Sequence, residues 1–221
     1  MKLLKPSVDY RKLRPTNLSS AKFQHLKLLI FWPVFGLLFY FTELYYPAPC
    51  YYPVHCALDD IIPFFEWFLI PYLFWFPFLI GMHLYTLLYD IDAFRRMMGY
   101  IILTYTLTLV IYWVFPTCQE LRPDSFARDN ILTRIAAAYY AFDTNTNVCP
   151  SIHVIGSLAV MEAALYSSKI KGKAWNWAFV LCAIAISLST VFMKQHSAID
   201  IFAALPICLA GHLLFFRKKD A

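Results

Sequence analysis

The chain has 221 residues, of which 60% are hydrophobic and only 15% are charged. A soluble domain of this length could not cover its surface with so few charged residues, so the composition excludes an ordinary soluble fold. The formal net charge is +5. The Lys and Arg residues nevertheless lie in short clusters between apolar segments, which is typical of membrane topology signals and not of a nucleic-acid-binding surface. We therefore expect an integral membrane protein with no nucleic-acid partner.

Six apolar segments are candidates for membrane-spanning helices, because a bilayer core requires about 20 mostly apolar residues per helix. They lie at residues 27–45, 67–89, 99–115, 152–167, 175–193 and 197–216. The pattern predicts an all-α integral membrane protein, a six-transmembrane-helix bundle in one domain at residues 27–216. Residues 1–26 are expected to form a basic cytosolic segment that is not a cleavable signal peptide, and residues 217–221 a cytosolic tail.

Four basic clusters predict the orientation of the chain in the membrane. With six spans all four lie on one side, which the positive-inside rule makes cytosolic. The loops at residues 46–66, 116–151 and 194–196 then face away from the cytosol. The clusters are Lys2, Lys5, Arg11, Lys12, Arg14 and Lys22; Arg95 and Arg96; Lys169, Lys171 and Lys173; and Arg217, Lys218 and Lys219.

Some polar residues have roles that the sequence leaves open. The intramembrane Glu162 is either functional or paired with a structural partner such as His83. The segment from Asp143 to Asn147 resembles the start of a calcium loop but lacks its glycine and glutamate, so we expect turn-forming hydrogen bonds and no metal. Disulfides are open for the four cysteines of the outward loops, Cys50, Cys56, Cys118 and Cys149.

A histidine and an aspartate near the last predicted span have the spacing of a nucleophile and its orienting group. His196 and Asp200 are four residues apart, so on a helix the carboxylate lies one turn from the imidazole on the same face. Asp200 can then hold one ring nitrogen of His196 and direct the other outward. The pair predicts nucleophilic catalysis by His196.

The start of the fourth predicted span carries features of a phosphate site. Ser151 is predicted to cap a helix, and the free backbone N–H groups at a helix N-terminus bind anions. His153 in the first turn would lie beside a bound phosphate and protonate its leaving oxygen. Arg122 is a planar cation suited to phosphate oxygens. Each residue alone has a simpler structural interpretation, but together on one membrane face they favour a catalytic site.

These residues resemble the signature of the type 2 phosphatidic acid phosphatase superfamily, which reads K-x6-R-P, P-S-G-H and S-R-x5-H-x3-D on six membrane helices. The matching residues are Arg122 and Pro123, Pro150, Ser151 and His153, and Ser189, His196 and Asp200. The resemblance implies a magnesium-independent phosphatase without cofactors, which acts on a lipid phosphate or pyrophosphate. With the orientation predicted from the basic clusters, its site would face outward, and the plasma membrane is the expected location. The resemblance also implies that His196 attacks phosphorus, Asp200 orients it, His153 protonates the leaving alkoxide, and water resolves a phosphohistidine.

Three signature positions differ from the pattern. They hold Phe115 in place of the lysine, Thr190 in place of the arginine, and Ile152 in place of the glycine. Two expected phosphate-binding cations are therefore missing, although phosphoryl transfer depends on charge stabilisation. We expect Lys194 to return charge to the phosphate, because residues 190 and 194 are neighbours on one helical face. Arg128 and Arg134 are weaker candidates, and Ile152 is expected to line the phosphate site.

Two other functions stay open at this point. The scaffold also resembles that of sphingolipid headgroup transferases, in which a second alcohol replaces water. A six-helix binding or transport protein that has lost catalysis would account for the missing cations. The presence of both His153 and His196 argues against such a loss, because an inactive site has no reason to keep the pair.

Overall fold

The structure, a computed structural model, describes residues 5–44 and 48–217 and is all-α apart from two short strands. The helices within these ranges are α1 (Phe31–Leu44), α2 (Ala57–Ile61), α3 (Leu69–Tyr89), α4 (Ile91–Val114), α5 (Ile131–Phe142), α6 (Ile152–Tyr166), α7 (Lys173–Phe192) and α8 (Ala198–Phe215). Strand β1 (Tyr52–Pro53) pairs in parallel with β2 (Thr117–Cys118), so the pairing connects the α1–α2 loop with the α4–α5 loop.

Within residues 5–44 and 48–217, five helical segments are long and apolar enough to cross a bilayer. They are Gln24–Leu44, Glu66–Tyr89, Ile91–Val114, Lys173–Phe192 and Ala198–Phe215. The fourth predicted span, α6, has 15 residues, fewer than the roughly 20 of a full crossing. It lies in the middle of the bundle, packed against α3, α4, α7 and α8. The all-α membrane bundle predicted from the sequence is thus confirmed, with five long spans around one short central helix.

Helix α4 begins eight residues before the predicted span. Asp90 caps it by accepting a hydrogen bond from the Ala93 backbone N–H at 3.2 Å. Arg96 therefore lies inside the helix rather than in a loop, where it pairs with Asp92 at 3.1 Å and donates to the Phe215 carbonyl at 2.7 Å. The charged residues made this segment look like a loop, but paired charges are tolerated at the end of a span.

The turns on the two ends of the bundle form separate contact networks. At one end, the Ser167 hydroxyl donates to Asp90 at 2.7 Å and joins the α6–α7 turn to the α3–α4 turn. The described basic clusters flank this end, so their common side agrees with the predicted topology. Tyr45, Lys2, Lys218 and Lys219 fall outside the described residues. The opposite end carries the β1–β2 pairing and the candidate site.

Helix α5 was not predicted, because its 12 residues are too few to span a membrane. Three apolar side chains on one of its faces are exposed, namely Ile131 (69%), Ile135 (39%) and Phe142 (88%). The opposite face is buried through Thr133 and Ala136. This division suits a helix that lies along the membrane interface.

The structure shows the partners of the residues whose roles the sequence leaves open. Glu162 on α6 pairs with His212 on α8 at 2.9 Å, whereas His83 accepts a hydrogen bond from the Trp32 indole at 3.2 Å. Glu162 therefore has a structural partner, but a different histidine from the one we named. All six cysteine thiols are free.

Candidate active site

His196 and Asp200 meet at the start of α8. Asp200 Oδ2 lies 2.9 Å from His196 Nδ1 and also accepts the Ser197 backbone N–H at 3.1 Å. Helix α8 begins at Ala198 with Ser197 as its N-cap, so His196 precedes the helix instead of lying on it. The pair still forms because the third residue of a helix can fold its carboxylate back over the cap in a capping box.

The hydrogen bond to Asp200 sets the protonation pattern of the His196 ring. A carboxylate only accepts hydrogen bonds, so in the neutral imidazole Nδ1 carries the proton and Nε2 keeps its lone pair. The imidazole is 6% exposed and lines a cavity. The arrangement provides an oriented nitrogen nucleophile at the cavity wall.

His153, in the first turn of α6, lies next to His196. The centroids of the two rings are 5.5 Å apart. The His153 ring stacks on Tyr72 at 4.8 Å and contacts Trp75 at 4.5 Å. These two aromatic residues of α3 hold the imidazole in place. Because the two histidine rings are in contact, the two predicted catalytic histidines share one site.

A glycine on α6 lets the helix approach these aromatic residues closely. A Cβ atom at Gly156 would lie 2.5 Å from the Tyr105 hydroxyl and 3.0 Å from the Trp75 indole nitrogen. With any larger residue, either these two side chains or α6 itself would have to shift. Gly156 therefore helps to fix the depth of His153, one turn earlier on α6.

The histidines open into a cavity with a volume of about 270 Å³. Its wall is aromatic on one side and polar on the other, and among the described residues that line it none is Lys or Arg. The lining residues are Phe39, Trp75, Phe76, Tyr112, Tyr139, Phe142, Asp143, Thr144, Thr146, Asn147, Val148, Ile152, His153, Gln195 and His196. An apolar chain and a polar headgroup can both be accommodated here.

Ser151 is the N-cap of α6, as predicted, but its hydroxyl makes no capping hydrogen bond. Ser151 Oγ is buried and has no partner among the described residues. The Ser151 backbone N–H donates to the Asp200 carbonyl at 3.2 Å, which connects the start of α6 to α8. Ile152 lines the cavity, so the helix start lies where the sequence placed it.

The sequence model of the PAP2 superfamily matches residues 93–221, which is more than half of the chain. The chain belongs to the PAP2 superfamily. No curated protein and no solved structure matches it. The superfamily match contains His153, His196 and Asp200, whereas Tyr72 and Trp75, which hold His153, lie before its first residue.

Arg122 is the remaining signature cation of the PAP2 pattern, and both of its Nη atoms donate hydrogen bonds to other groups of the protein. Its Nη1 donates to the carbonyls of Tyr140 and Asp143, both at 3.0 Å, and its Nη2 donates to Thr144 O at 2.7 Å. Nη2 also donates to Gln195 Oε1 at 2.6 Å. The guanidinium therefore holds the α5–α6 loop and Gln195, and it does not line the cavity as the predicted phosphate ligand would.

The geometric basis for Lys194 as a replacement cation is absent. Helix α7 ends at Phe192 and Lys194 has a φ of 52°, so residues 190 and 194 do not share a helical face. Lys194 Nζ donates to the Asp59 carbonyl at 2.7 Å and is not part of the cavity wall. Burial lowers the pKa of Lys194, although the nearby carboxylates of Asp59 and Asp60 oppose that shift.

The two weaker candidates for a replacement cation also have other partners. Arg128 pairs with Glu66 at 3.1 Å, and Arg134 pairs with Asp129 at 2.8 Å. Neither arginine lines the cavity. Within the described residues, no group of three or more His, Cys, Asp or Glu side chains is arranged as a metal site.

A buried aspartate from outside the PAP2 match fixes the start of α8. Asp59 on α2 accepts hydrogen bonds from the Ser197 hydroxyl at 2.5 Å, the Ala198 N–H at 2.8 Å and the Cys56 N–H at 2.8 Å. Burial by itself raises the pKa of Asp59, but these hydrogen bonds outweigh it and bring the pKa below its usual value. Sequence analysis missed Asp59, because no spacing relates residue 59 to residue 197.

The polar cavity wall is held by another carboxylate that the sequence analysis missed. Glu43, at the end of α1, accepts hydrogen bonds from Thr144, from Thr146 at 3.0 Å and from Asn147 at 2.8 Å. The turn expected at residues 143–147 is thus anchored to α1. Asp143 lines the cavity beside it, and burial raises the pKa of its carboxyl.

Proposed function

We propose that the protein transfers a phosphate group from a lipid to Nε2 of His196 and then to water, as a lipid phosphate or pyrophosphate phosphatase. The proposal rests mainly on the His196–Asp200 pair, which leaves the lone pair of Nε2 available at a cavity wall. In the first step an N–P bond forms while the P–O bond to the leaving group breaks. In the second step water attacks phosphorus, the N–P bond breaks, and His196 is regenerated.

His153 has the position of the acid in the first step. The leaving alkoxide needs a proton, and a neighbouring imidazole can supply it and then activate the water of the second step. The two rings contact each other edge to face, with centroids 5.5 Å apart, so both imidazoles are close enough to act on one phosphate group bound in the cavity. The aromatic side of the cavity, with Phe39, Trp75 and Phe76, suits a lipid substrate.

A headgroup phosphotransferase is the second candidate, and the charge of the cavity favours it. A phosphate monoester carries close to two negative charges near neutral pH, whereas a phosphodiester carries one. The described residues that line the cavity include no Lys or Arg, and they include the Asp143 carboxyl. Such a wall stabilises a single charge better than a double one. In this reaction the hydroxyl of an acceptor lipid replaces water in the second step.

Product analysis distinguishes the two candidates. The purified protein would be given labelled phosphatidic acid, a polyprenyl pyrophosphate or a phosphodiester lipid, in EDTA, with and without a lipid alcohol. Release of inorganic phosphate without the alcohol supports the phosphatase. Label that enters only the lipid alcohol supports the transferase. If neither product nor labelled protein appears with any of these lipids, both candidates are refuted.

We further propose that the site faces away from the cytosol, in the plasma membrane. This orientation follows from the positive-inside rule, since the described basic clusters lie at the opposite end of the bundle. Ser125 and Ser168 are exposed loop residues at the site end and the basic end, respectively. In a cysteine-free background, Ser125→Cys should react with an impermeant maleimide in intact cells and Ser168→Cys only after lysis. The reverse pattern would overturn the orientation.

A further inference from the structure

Gln195 lies beside the proposed nucleophile and lines the same cavity. The residue is only 3% exposed. The backbone N–H groups of Gln195 and His196 donate to the same carbonyl, that of Thr190, at 3.0 and 3.1 Å. The end of α7 therefore fixes the backbone of both residues together.

Arg122 determines which way the Gln195 amide points. A guanidinium only donates hydrogen bonds, so the atom 2.6 Å from Arg122 Nη2 must be the amide oxygen. The nitrogen Nε2 then occupies the other end of the amide. Nε2 is buried and has no partner among the described residues. Gln195, which lines the cavity beside His196, therefore carries a fixed N–H donor that has no partner among the described residues.

We infer that Gln195 is a catalytic residue whose Nε2 donates a hydrogen bond to a phosphate oxygen during transfer to His196. The inference rests on the proposed function, because it requires phosphorus to approach the His196 ring. The donor would stand in for the cations that Phe115 and Thr190 do not supply. A rigid, neutral donor is effective in a buried site, because it needs no reorganisation as charge develops on the oxygen.

Two substitutions separate this role from a structural one. Gln195→Glu keeps an oxygen for Arg122 and nearly the same shape, and Arg122 holds the new carboxyl ionised, but the Nε2 donor becomes an acceptor. Gln195→Leu removes both the donor and the Arg122 contact. If Gln195 only anchors Arg122, Gln195→Leu, which adds no charge, should lose stability but keep the rate per folded molecule, and Gln195→Glu should lose only what its added negative charge costs. If Nε2 serves the phosphate, both variants should lose activity.

The first measurement is the single-turnover rate at which labelled lipid forms the covalent adduct on His196. We expect Gln195→Glu to lower this rate on the order of 100-fold or more, as the loss of one oxyanion donor does. The second measurement is the affinity for orthovanadate, a mimic of the transferring phosphate, which should weaken in the same variant. A Gln195→Glu variant with wild-type rate and vanadate affinity would overturn the inference, whatever Gln195→Leu does.

Gln119 offers a matched control. It is also fully buried, its oxygen accepts the Leu121 N–H at 2.7 Å, and its Nε2 has no partner among the described residues. It does not line the cavity, so Gln119→Glu should keep the rate per folded molecule. An equal loss in both variants would show a general cost of a buried carboxylate and would refute the assignment to Gln195.

The same two measurements distinguish a failure of the proposed function from a failure of the Gln195 inference. If the wild type forms no adduct with any lipid, covalent transfer to His196 is refuted. The vanadate measurement then decides on Gln195 alone: weaker binding in Gln195→Glu supports an anion donor, and unchanged or absent binding refutes it.

Discussion

His196 Nδ1 lies 2.9 Å from Asp200 Oδ2, in a part of the protein where Asp200 has no exposed surface. The carboxylate also accepts the Ser197 backbone N–H at 3.1 Å. One aspartate therefore both caps α8 and fixes the tautomer of the imidazole. This dual role makes Asp200 the most informative position for a conservative substitution.

Asp200→Asn should abolish most of the activity while α8 stays capped. Asp200 Oδ2 accepts both the His196 Nδ1–H and the Ser197 N–H, so an amide oxygen in its place keeps both hydrogen bonds but loses the negative charge that stabilises positive charge on the imidazole. We expect single-turnover rates to fall on the order of 1000-fold, and His196→Ala to abolish adduct formation. A near-normal rate in His196→Ala would show that the nucleophile lies elsewhere.

His153→Ala should slow the reaction according to the leaving group. An alkoxide needs a proton as it departs, whereas p-nitrophenolate does not, so the variant should lose much more activity with an alkyl phosphate ester than with the p-nitrophenyl ester. A 100-fold to 10,000-fold range is typical for one general acid. Rates would be compared for both esters on the same preparation. An equal loss with both would point to a packing role against Tyr72 and Trp75.

The Asp59 carboxylate should make the stability of the protein depend on pH. Its folded pKa lies below the usual value of 3.8, so its stabilisation is fully present above that value and is lost as pH falls through the folded pKa. Asp59→Asn should cost about 2 kcal/mol at neutral pH, the order of a buried hydrogen bond to a charged group. The difference in unfolding free energy between wild type and variant should shrink in acid, and a constant difference would contradict the role.

Lys194→Met should lower stability more than it lowers catalysis. The ammonium is 8% exposed and donates to the Asp59 carbonyl, so its loss leaves that carbonyl without a donor at a cost of about 1–3 kcal/mol. We expect a lower melting temperature and a turnover within a few fold of the wild type. A 100-fold loss of turnover at an unchanged melting temperature would instead support the phosphate role suggested by its position in the sequence.

The sequence predicted the long spans and the contact between His196 and Asp200 better than the elements around them. The long spans and the pairing of His196 with Asp200 follow from hydropathy and local spacing, which are short-range properties. The short helices α2 and α5 were missed, because five and 12 residues are too few to give a membrane signal. Asp59 was missed for a different reason: its partner Ser197 is 138 residues away.

The partners of Lys194 and Arg122 could not be predicted from local sequence spacing either. Lys194 was expected to follow the helix of Thr190, but α7 ends before it and the backbone turns through a positive φ. Arg122 was expected at the phosphate because its planar cation suits one. Its two Nη atoms instead donate to loop carbonyls and to Gln195, and only the folded chain shows these partners. Arg122 Nε is buried and has no partner among the described residues.

The Asp59 hydrogen bonds to Ser197 and Ala198 have a consequence for chimaeras within the superfamily. The superfamily match begins at residue 93, so an exchange at that border would keep the nucleophile and exchange the residue that restrains it. A donor chain without a carboxylate opposite Ser197 would release the start of α8. A chimaera that keeps this contact therefore has to take α2 and the α7–α8 turn from the same parent chain.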